Sequence, residues 1–417
     1  MTERVMSGPL LSVVIPTYNR CELLQGTLQS VLAQSITDFE VVVSDNCSDD
    51  DTREVTEGFV DSRMRYIRTP RHTSIADSWE FARSHARGTF VMMLSDDDAL
   101  VRDALARFGE EHHEHRADLL FCNVAEFRDQ SFVGPQRNTV TWGRFSGAAR
   151  VVEKDEFLRP LFALRPKFDM HPSAFMFSAS LADQVVRRCG RFFQTNGVEY
   201  FAWPLAAVFS TRMVHIDAPL VILGRTFKSW GSTIVLSNPG KEQIAKMIAD
   251  VNHDRSWIPL TNFTLTNLMA EGLLLGKKLF PEELQPYPFD EERYLRRTMK
   301  ELRSRQQMGV DVVREISELT GYATKYPSLH AKLLAQPPDG LKGSHSLARR
   351  LATGLGVQYV QRRLHARKQI RDIRAGRVHA GFTVSGGDFG FNDALSCSEF
   401  LSALMSVGEG RKMPANL

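Results

Sequence analysis

Over the first 125 residues, short apolar runs alternate with amphipathic stretches, and no other feature constrains the fold as tightly. Leu11-Ser12-Val13-Val14-Ile15 is an apolar run stopped by Pro16, and it reads as a buried strand. Leu23, Leu24, Leu28, Val31 and Leu32 then recur at helical spacing. Strand-like runs follow at 39–43, 64–68, 90–94 and 118–122, separated by helical patterns at 51–60, 74–87 and 102–113. Parallel neighbours need a long crossover, and crossover helices cover both faces of the sheet. The chain is therefore expected to open with a mainly parallel, Rossmann-like α/β sheet sandwiched by helices.

The rhythm loosens after Phe127. The polar, Gly-containing residues 128–150 fit either a loop or an antiparallel excursion. Strands are expected at 174–177, 213–216 and 220–223, and helices at 181–188 and 198–209. Beyond residue 240 the pattern is mostly helical, with breaks at Pro259, Pro281, Pro327 and Pro337. The expected organisation is an α/β unit over 1–240, with halves at 10–125 and 126–240, and a helical region over 241–378. A flexible tail is expected over 379–417, where Gly, Ser and Asn are frequent.

Composition excludes several classes. An apolar fraction of 43% is ordinary for a globular chain and rules out a disordered one. The 52 Lys+Arg and 49 Asp+Glu leave a net charge of only +3, so charge gives no global argument for nucleic acid, and none is expected as partner. The five cysteines show no CxxC spacing and read as free thiols in a reducing compartment. No apolar run approaches the roughly 20 residues of a spanning helix, and residues 1–9 contain no secretory signal. A cytoplasmic location is expected.

In open parallel sheets, ligands bind at the carboxyl ends of the strands. Asp45 closes the second expected strand, and Asp96-Asp97-Asp98 closes the fourth. Three adjacent carboxylates repel one another unless a cation or ample solvent compensates. Their hard oxygens favour Mg²⁺ or Mn²⁺, an ion that keeps waters and also binds substrate phosphates. The alternative is helix capping, for which one Asp would suffice. Capping explains Asp49-Asp50-Asp51 well.

Three successive motifs resemble the signatures of family 2 glycosyltransferases. They are Ser12-Val13-Val14-Ile15-Pro16-Thr17-Tyr18-Asn19-Arg20, then Val42-Val43-Ser44-Asp45-Asn46-Cys47-Ser48-Asp49-Asp50, then Leu94-Ser95-Asp96-Asp97-Asp98. The resemblance covers roughly residues 10–125 and continues more weakly to about 226. It implies a GT-A fold, followed here by a mostly α-helical C-terminal region, and inverting transfer of a sugar from a nucleotide-diphosphate donor, UDP-type favoured. By motif position, Pro16, Thr17, Tyr18, Asn19 and Asp45 would hold base and ribose. Asp96 and Asp97 would meet the nucleotide sugar, and Asp97 and Asp98 the metal, Mn²⁺ or Mg²⁺. Ser95 stands where the family often has Asp, which leaves open which two aspartates carry the metal and ribose contacts.

An inverting transfer also needs a carboxylate to deprotonate the acceptor hydroxyl. Glu199 sits where the family's ED-type base motif falls, with Tyr200 in place of the usual Asp. The alternative for Glu199 is a first-turn helix residue favoured by the dipole. His171-Pro172-Ser173-Ala174-Phe175-Met176 resembles the family's acceptor-side segment. Arg225, Lys228 and Trp230 fit either a lid over diphosphate and sugar or an ordinary surface loop.

Residues 346–377 are rich in Arg, with Asp372 the lone acid across 349–377. Such a basic amphipathic segment either lies on an anionic membrane at the inner face or packs its apolar stripe onto the protein. No QxxRW motif occurs, which argues for single-sugar addition. His112, His113 and His115 lack HExxH spacing, Asp388-Phe389-Gly390 lacks the other kinase motifs, and strand one lacks GxGxxG. The expected function is metal-dependent inverting transfer of one sugar to a glycan, lipid-linked or cell-surface polysaccharide acceptor. The alternatives are a non-catalytic nucleotide-binding scaffold of the same fold and a nucleotidyltransferase.

Overall fold

The structure is a computed structural model that describes residues 8–132, 137–226, 258–260, 264–335 and 382–408. Its first half follows the expected alternation: β1 (Leu11–Thr17), α1 (Cys21–Leu32), β2 (Phe39–Asp45), α2 (Thr52–Glu57), β3 (Met64–Arg68), α3 (Ile75–Ser84), β4 (Phe90–Met93), β5 (Ala99–Leu100), α4 (Ala104–His115) and β6 (Leu119–Arg128). Every residue of β1, β2 and β4 is buried, as continuous apolar runs in a covered parallel sheet require. Helix α3 begins with a reciprocal cap: Ser74 Oγ accepts from the Asp77 amide at 3.1 Å and donates to Asp77 Oδ2 at 2.9 Å.

Residues 128–150 are the antiparallel excursion rather than a loop. β7 (Thr139–Trp142) pairs with β6, and β8 (Ala149–Val152) pairs with a later strand. Then come α5 (Lys154–Phe162), a 3₁₀ turn at Pro172–Ala174, β9 (Phe175–Ser178), α6 (Ala179–Cys189), α7 (Val198–Phe209) and β10 (Met213–Arg225). Two strands were expected where β10 runs as one. Pro219 has no amide to give the ladder, so the pairing shifts register on either side of it without ending.

The sheet runs β7-β6-β9-β4-β1-β2-β3, with β1, β2, β3 and β4 parallel and β9 antiparallel between β4 and β6. β10 lies parallel to β6 and also pairs antiparallel with β5 and β8. Thr17 is level with Asp45, so the ends of β1 and β2 and the turn after β4 share one edge. Pairing of Val221–Ile222 with Leu100–Ala99 brings the end of β10 to that edge too.

The helical portion comprises α8 (Leu265–Leu279), α9 (Pro281–Leu284), α10 (Glu291–Gln307), α11 (Val313–Tyr322) and α12 (Pro327–Ala335). Helix α8 packs on α7, and α7 is pinned to the sheet by fully buried Trp203, stacked on Phe175 at 4.4 Å. The expected boundary near 240 and the basic segment 346–377 lie outside the described residues. No described helix is long and apolar enough to cross a membrane. All five cysteines are free thiols.

The expectation of a flexible tail is overturned within residues 382–408. β11 (Phe382–Ser385) adds antiparallel to β7, a short turn of helix α13 (Gly386–Phe389) follows, and α14 (Ala394–Gly408) packs on α1, β5 and β10. Cys397, Phe400, Leu401 and Leu404 are buried at helical spacing. The glycines here serve tight turns instead of disorder. A Cβ on Gly386 would lie 2.0 Å from the Phe391 carbonyl oxygen.

Candidate functional site

Three consecutive aspartates follow β4, and each is braced differently. Asp96 accepts Thr17 Oγ1 at 2.7 Å on one carboxylate oxygen and Arg20 Nη1 at 3.0 Å on the other. Asp98 accepts the Gly224 amide at 2.9 Å on Oδ1 and Ser173 Oγ at 2.6 Å on Oδ2. Asp97, 9% exposed against 3% and 1% for its neighbours, is the most open, with Arg20 Nη1 3.8 Å from its Oδ2. Thr27 Oγ1 donates to the backbone carbonyls of Asp96 (2.9 Å) and Asp98 (2.7 Å), fixing the turn itself. Gly224 is required where it stands, because a Cβ there would lie 1.9 Å from the Asp97 carbonyl oxygen. Burial pushes the Asp98 carboxyl well above the usual carboxylate range, and adjacent Asp97 adds to the shift. Burial raises Asp96 as well, and Arg20 opposes it.

The loops after β1 and β2 are laced together beside this cluster. The Asn19 amide donates to Ser48 Oγ at 2.9 Å, the Asp49 amide to Asn19 Oδ1 at 2.7 Å, and the Asn46 amide to the Thr17 carbonyl at 2.9 Å. Asn19 sits at φ +52°, a left-handed conformation that Asn tolerates. Asp45 is fully buried. Its Oδ1 accepts the Ser48 amide at 2.8 Å, and its Oδ2 accepts Tyr66 Oη and Arg68 Nη1, both at 2.6 Å. Tyr18 is 39% exposed and stacks on His72 at 4.3 Å, an aromatic surface beside the strand ends. Pro16 is buried within β1.

Across the site, Glu199 lies in the first turn of α7. Burial pushes its carboxyl up to about 7, against the help of a backbone amide. A carboxylate near neutrality is suited to accept a proton from an alcohol. His171, at the head of the 3₁₀ turn, places Nδ1 3.5 Å from Asp98 Oδ2, and that nitrogen makes no hydrogen bond. Burial, aided by Arg225, drives its pKa down to about 3, so the ring is neutral. Arg225 Nε donates to Glu126 Oε1 at 3.0 Å, and its charge reaches Asp98, His171 and Tyr200. Arg225 thus links the aspartates to the residue next to Glu199. Lys228 and Trp230 lie outside the described residues.

Sequence reasoning missed Arg20, Thr27, Tyr66, Arg68, His72 and Gly224 as site residues. Tyr66 and Arg68 carried a signal, since alternate residues at the end of a strand share a face. The others reach the site from distant segments and carried none.

The donor set suits a hard divalent ion. Asp97 offers an accessible carboxylate, and such an ion is completed by waters and substrate phosphates rather than by a protein cage. Among the described residues, the one set of three closely spaced ligand groups is Glu111, Glu114 and His115 on α4. There Glu111 is already engaged by Arg107 at 2.7 Å and His115 at 3.2 Å.

Residues 12–186 match the model of glycosyl transferase family 2. The chain carries a family 2 glycosyltransferase domain. A GalNAc(5)-diNAcBac-PP-undecaprenol beta-1,3-glucosyltransferase of Campylobacter jejuni is 34% identical over 109 residues, 25% of this chain and 35% of that one. A UDP-Glc:alpha-D-GlcNAc-diphosphoundecaprenol beta-1,3-glucosyltransferase of Escherichia coli is 27% identical over 138 residues, 32% of this chain and 54% of that one. The chain thus spans between about a third and a half of these relatives. Among solved structures, S. aureus TarS 1–349 in complex with UDP-GlcNAc aligns over 78% of this chain and 90% of that one, with 17% identity and a TM-score of 0.47. That likeness is too distant to transfer any residue role.

Proposed function

We propose that this chain is an inverting, divalent-metal-dependent glycosyltransferase that adds one sugar from a UDP-type nucleotide sugar to a lipid-linked or polysaccharide acceptor. One observation carries the reading: an open Asp97 in a braced acidic turn at the strand ends shares the domain with a Glu199 carboxyl tuned to about 7. The acceptor class rests on the names of the relatives, two of which act on diphosphoundecaprenol-linked sugars.

In this reading Tyr18 and the loops around Asn19 and Asp45 hold the nucleotide, and Thr17, Asp96 and Asp97 orient the ribose and diphosphate. The acceptor oxygen attacks the anomeric carbon as the bond to the diphosphate breaks. Glu199 takes the hydroxyl proton, and the electron pair leaves with the diphosphate. A divalent ion bound at Asp97 would offset the charge that develops on that leaving group. Asp98 anchors the turn through Gly224 and Ser173, and Arg225 and neutral His171 line the way to the acceptor side. Burial of Glu199 keeps the base weakly solvated, so its proton affinity matches that task.

The test is to supply UDP- and GDP-sugars with Mn²⁺, together with polyprenyl-diphosphate-linked and free glycan acceptors, and to follow nucleotide diphosphate release and product mass. Metal-dependent UDP release with a product heavier by one sugar is the expected result. Pyrophosphate release would instead identify a nucleotidyltransferase, and donor binding without turnover on any acceptor would identify a scaffold.

A further inference from the structure

Arg20 is not explained by local structure. It stands at the N-cap position of α1, where its carbonyl accepts the amides of Leu23 and Leu24, but its side chain makes no capping bond. The guanidinium instead crosses to the acidic turn. Its Nη1 lies 3.0 Å from Asp96 Oδ1 and 3.8 Å from Asp97 Oδ2. Its side chain is 21% exposed, so the contact is poorly screened. Burial opposes its charge, but Asp96, Asp97 and Asp98 together overcome that and leave it more firmly protonated than usual.

The division of labour among the three carboxylates gives Arg20 its significance. Asp98 is satisfied by neutral donors, the Gly224 amide and the Ser173 hydroxyl. Asp96 and Asp97 share one cation. A divalent ion arriving at Asp97 would meet a fixed positive charge already beside the carboxylate that must bind it. Two cations a few ångströms apart in a partly buried site repel strongly unless further negative charge arrives with them. A nucleotide diphosphate brings that charge.

We propose that Arg20 is a resident counter-cation that makes ion uptake conditional on the donor. With the site empty, its guanidinium holds Asp96 and Asp97 in place. When ion and diphosphate arrive together, the ion takes Asp97 and the guanidinium turns to the phosphate oxygens. Ion and nucleotide then bind cooperatively, and Arg20 is a positioning residue whose effect on the ion alone is antagonistic. This inference rests on the metal-dependent reading above.

The sign of that effect supplies the test. Mn²⁺ binding is measured by electron paramagnetic resonance on the full chain, with and without UDP, for the wild type, Arg20→Met and Arg20→Lys. The wild type should bind Mn²⁺ weakly alone and about tenfold or more tightly with UDP, within the usual range of coupling between sites. Arg20→Met should bind Mn²⁺ alone about tenfold more tightly than the wild type and lose most of the UDP coupling. Arg20→Lys keeps the charge but not the fork, and should fall between the two. Mn²⁺ affinity in Arg20→Met equal to or below that of the wild type overturns the proposal. If Arg20→Met does not fold, Arg20→Lys decides by the same criterion. A wild type that binds no Mn²⁺ even with UDP overturns the metal-dependent reading itself, a result distinct from the first.

Discussion

The aspartates after β4 and Glu199 on α7 are all carboxylates withdrawn from water, yet the chain treats them in opposite ways. Asp96 and Asp98 receive two donors each, from β1, α1, β10 and the 3₁₀ turn, and Asp96 receives a cation as well. At Glu199, burial outweighs the help of a backbone amide and lifts the carboxyl to about 7. Hydrogen bonds hold a carboxylate where a ligand needs it, whereas desolvation with little compensation raises its proton affinity. One cluster is built to position, the other to exchange a proton.

The strongest way to break this contrast is Glu199→Gln. Turnover should fall by about 10²–10⁴, the usual contribution of a positioned general base. In the wild type, kcat/KM should rise with pH through about 7, as the carboxyl ionises in the free enzyme. The stability effect has the opposite sign. A folded pKa of about 7 against an ordinary 4.5 means the folded state holds a proton that the unfolded state releases, so stability declines from pH 4.5 to 7 and stays reduced above. Glu199→Gln should therefore raise Tm at pH 8 and leave it unchanged at pH 4. Undiminished turnover in this variant would remove Glu199 from the base role.

Phe400→Ala probes the donor side from behind, because α14 packs on α1, β5 and β10, the elements next to Arg20, Asp98 and Gly224. Removing this buried ring should cost about 3–5 kcal/mol in urea denaturation and weaken UDP binding, while the pH limb near 7 remains. Unchanged stability would mean that residues 382–408 do not support the site.

A finer distinction separates neighbours. Asp98→Ala leaves the Gly224 amide and Ser173 hydroxyl buried without their acceptor and should cost about 2–4 kcal/mol. Asp97→Ala should cost less than about 1 kcal/mol but abolish the Mn²⁺-dependent rise in Tm. Equal losses of stability in the two variants would show that they do not divide anchoring from ion binding.

The smallest effect concerns a third kind of buried group. Burial drives His215 down to about 4, so the folded state resists the proton that the unfolded chain accepts near 6.5. That stability is present above pH 6.5 and is lost as pH falls toward 4, amounting to about 2 kcal/mol at pH 5. His215→Asn should flatten acid unfolding over this window, as followed by circular dichroism.

Much of the parallel sheet was legible because its signals are local. Residues 64–68 were expected as a strand and form one, and the placement of Asp45 and Asp96 at strand ends followed from run length and Pro16. The tail was misread because its composition was weighed above its periodicity. Gly386 and the flanking serines suggested disorder, while Cys397, Phe400, Leu401 and Leu404 already marked a helical face. The merged β10 was missed because Pro219 looks like a terminator, and only a neighbouring strand can absorb the bulge.

By itself, then, the sequence determined the alternation of strands and helices, the acidic residues at the ends of β2 and β4, and the carboxylate of Glu199 in a first helical turn. Each depends on residues within a few positions of one another. Tertiary structure alone decided what those carboxylates do. Arg20 reaches Asp96 across 76 positions, Ser173 reaches Asp98 across 75, and Gly224 reaches it across 126. The same holds for Glu199, whose tuning comes from the packing around α7. A carboxylate's chemistry is set by what replaces its water, and the groups that replace it are chosen by the fold, not by proximity along the chain.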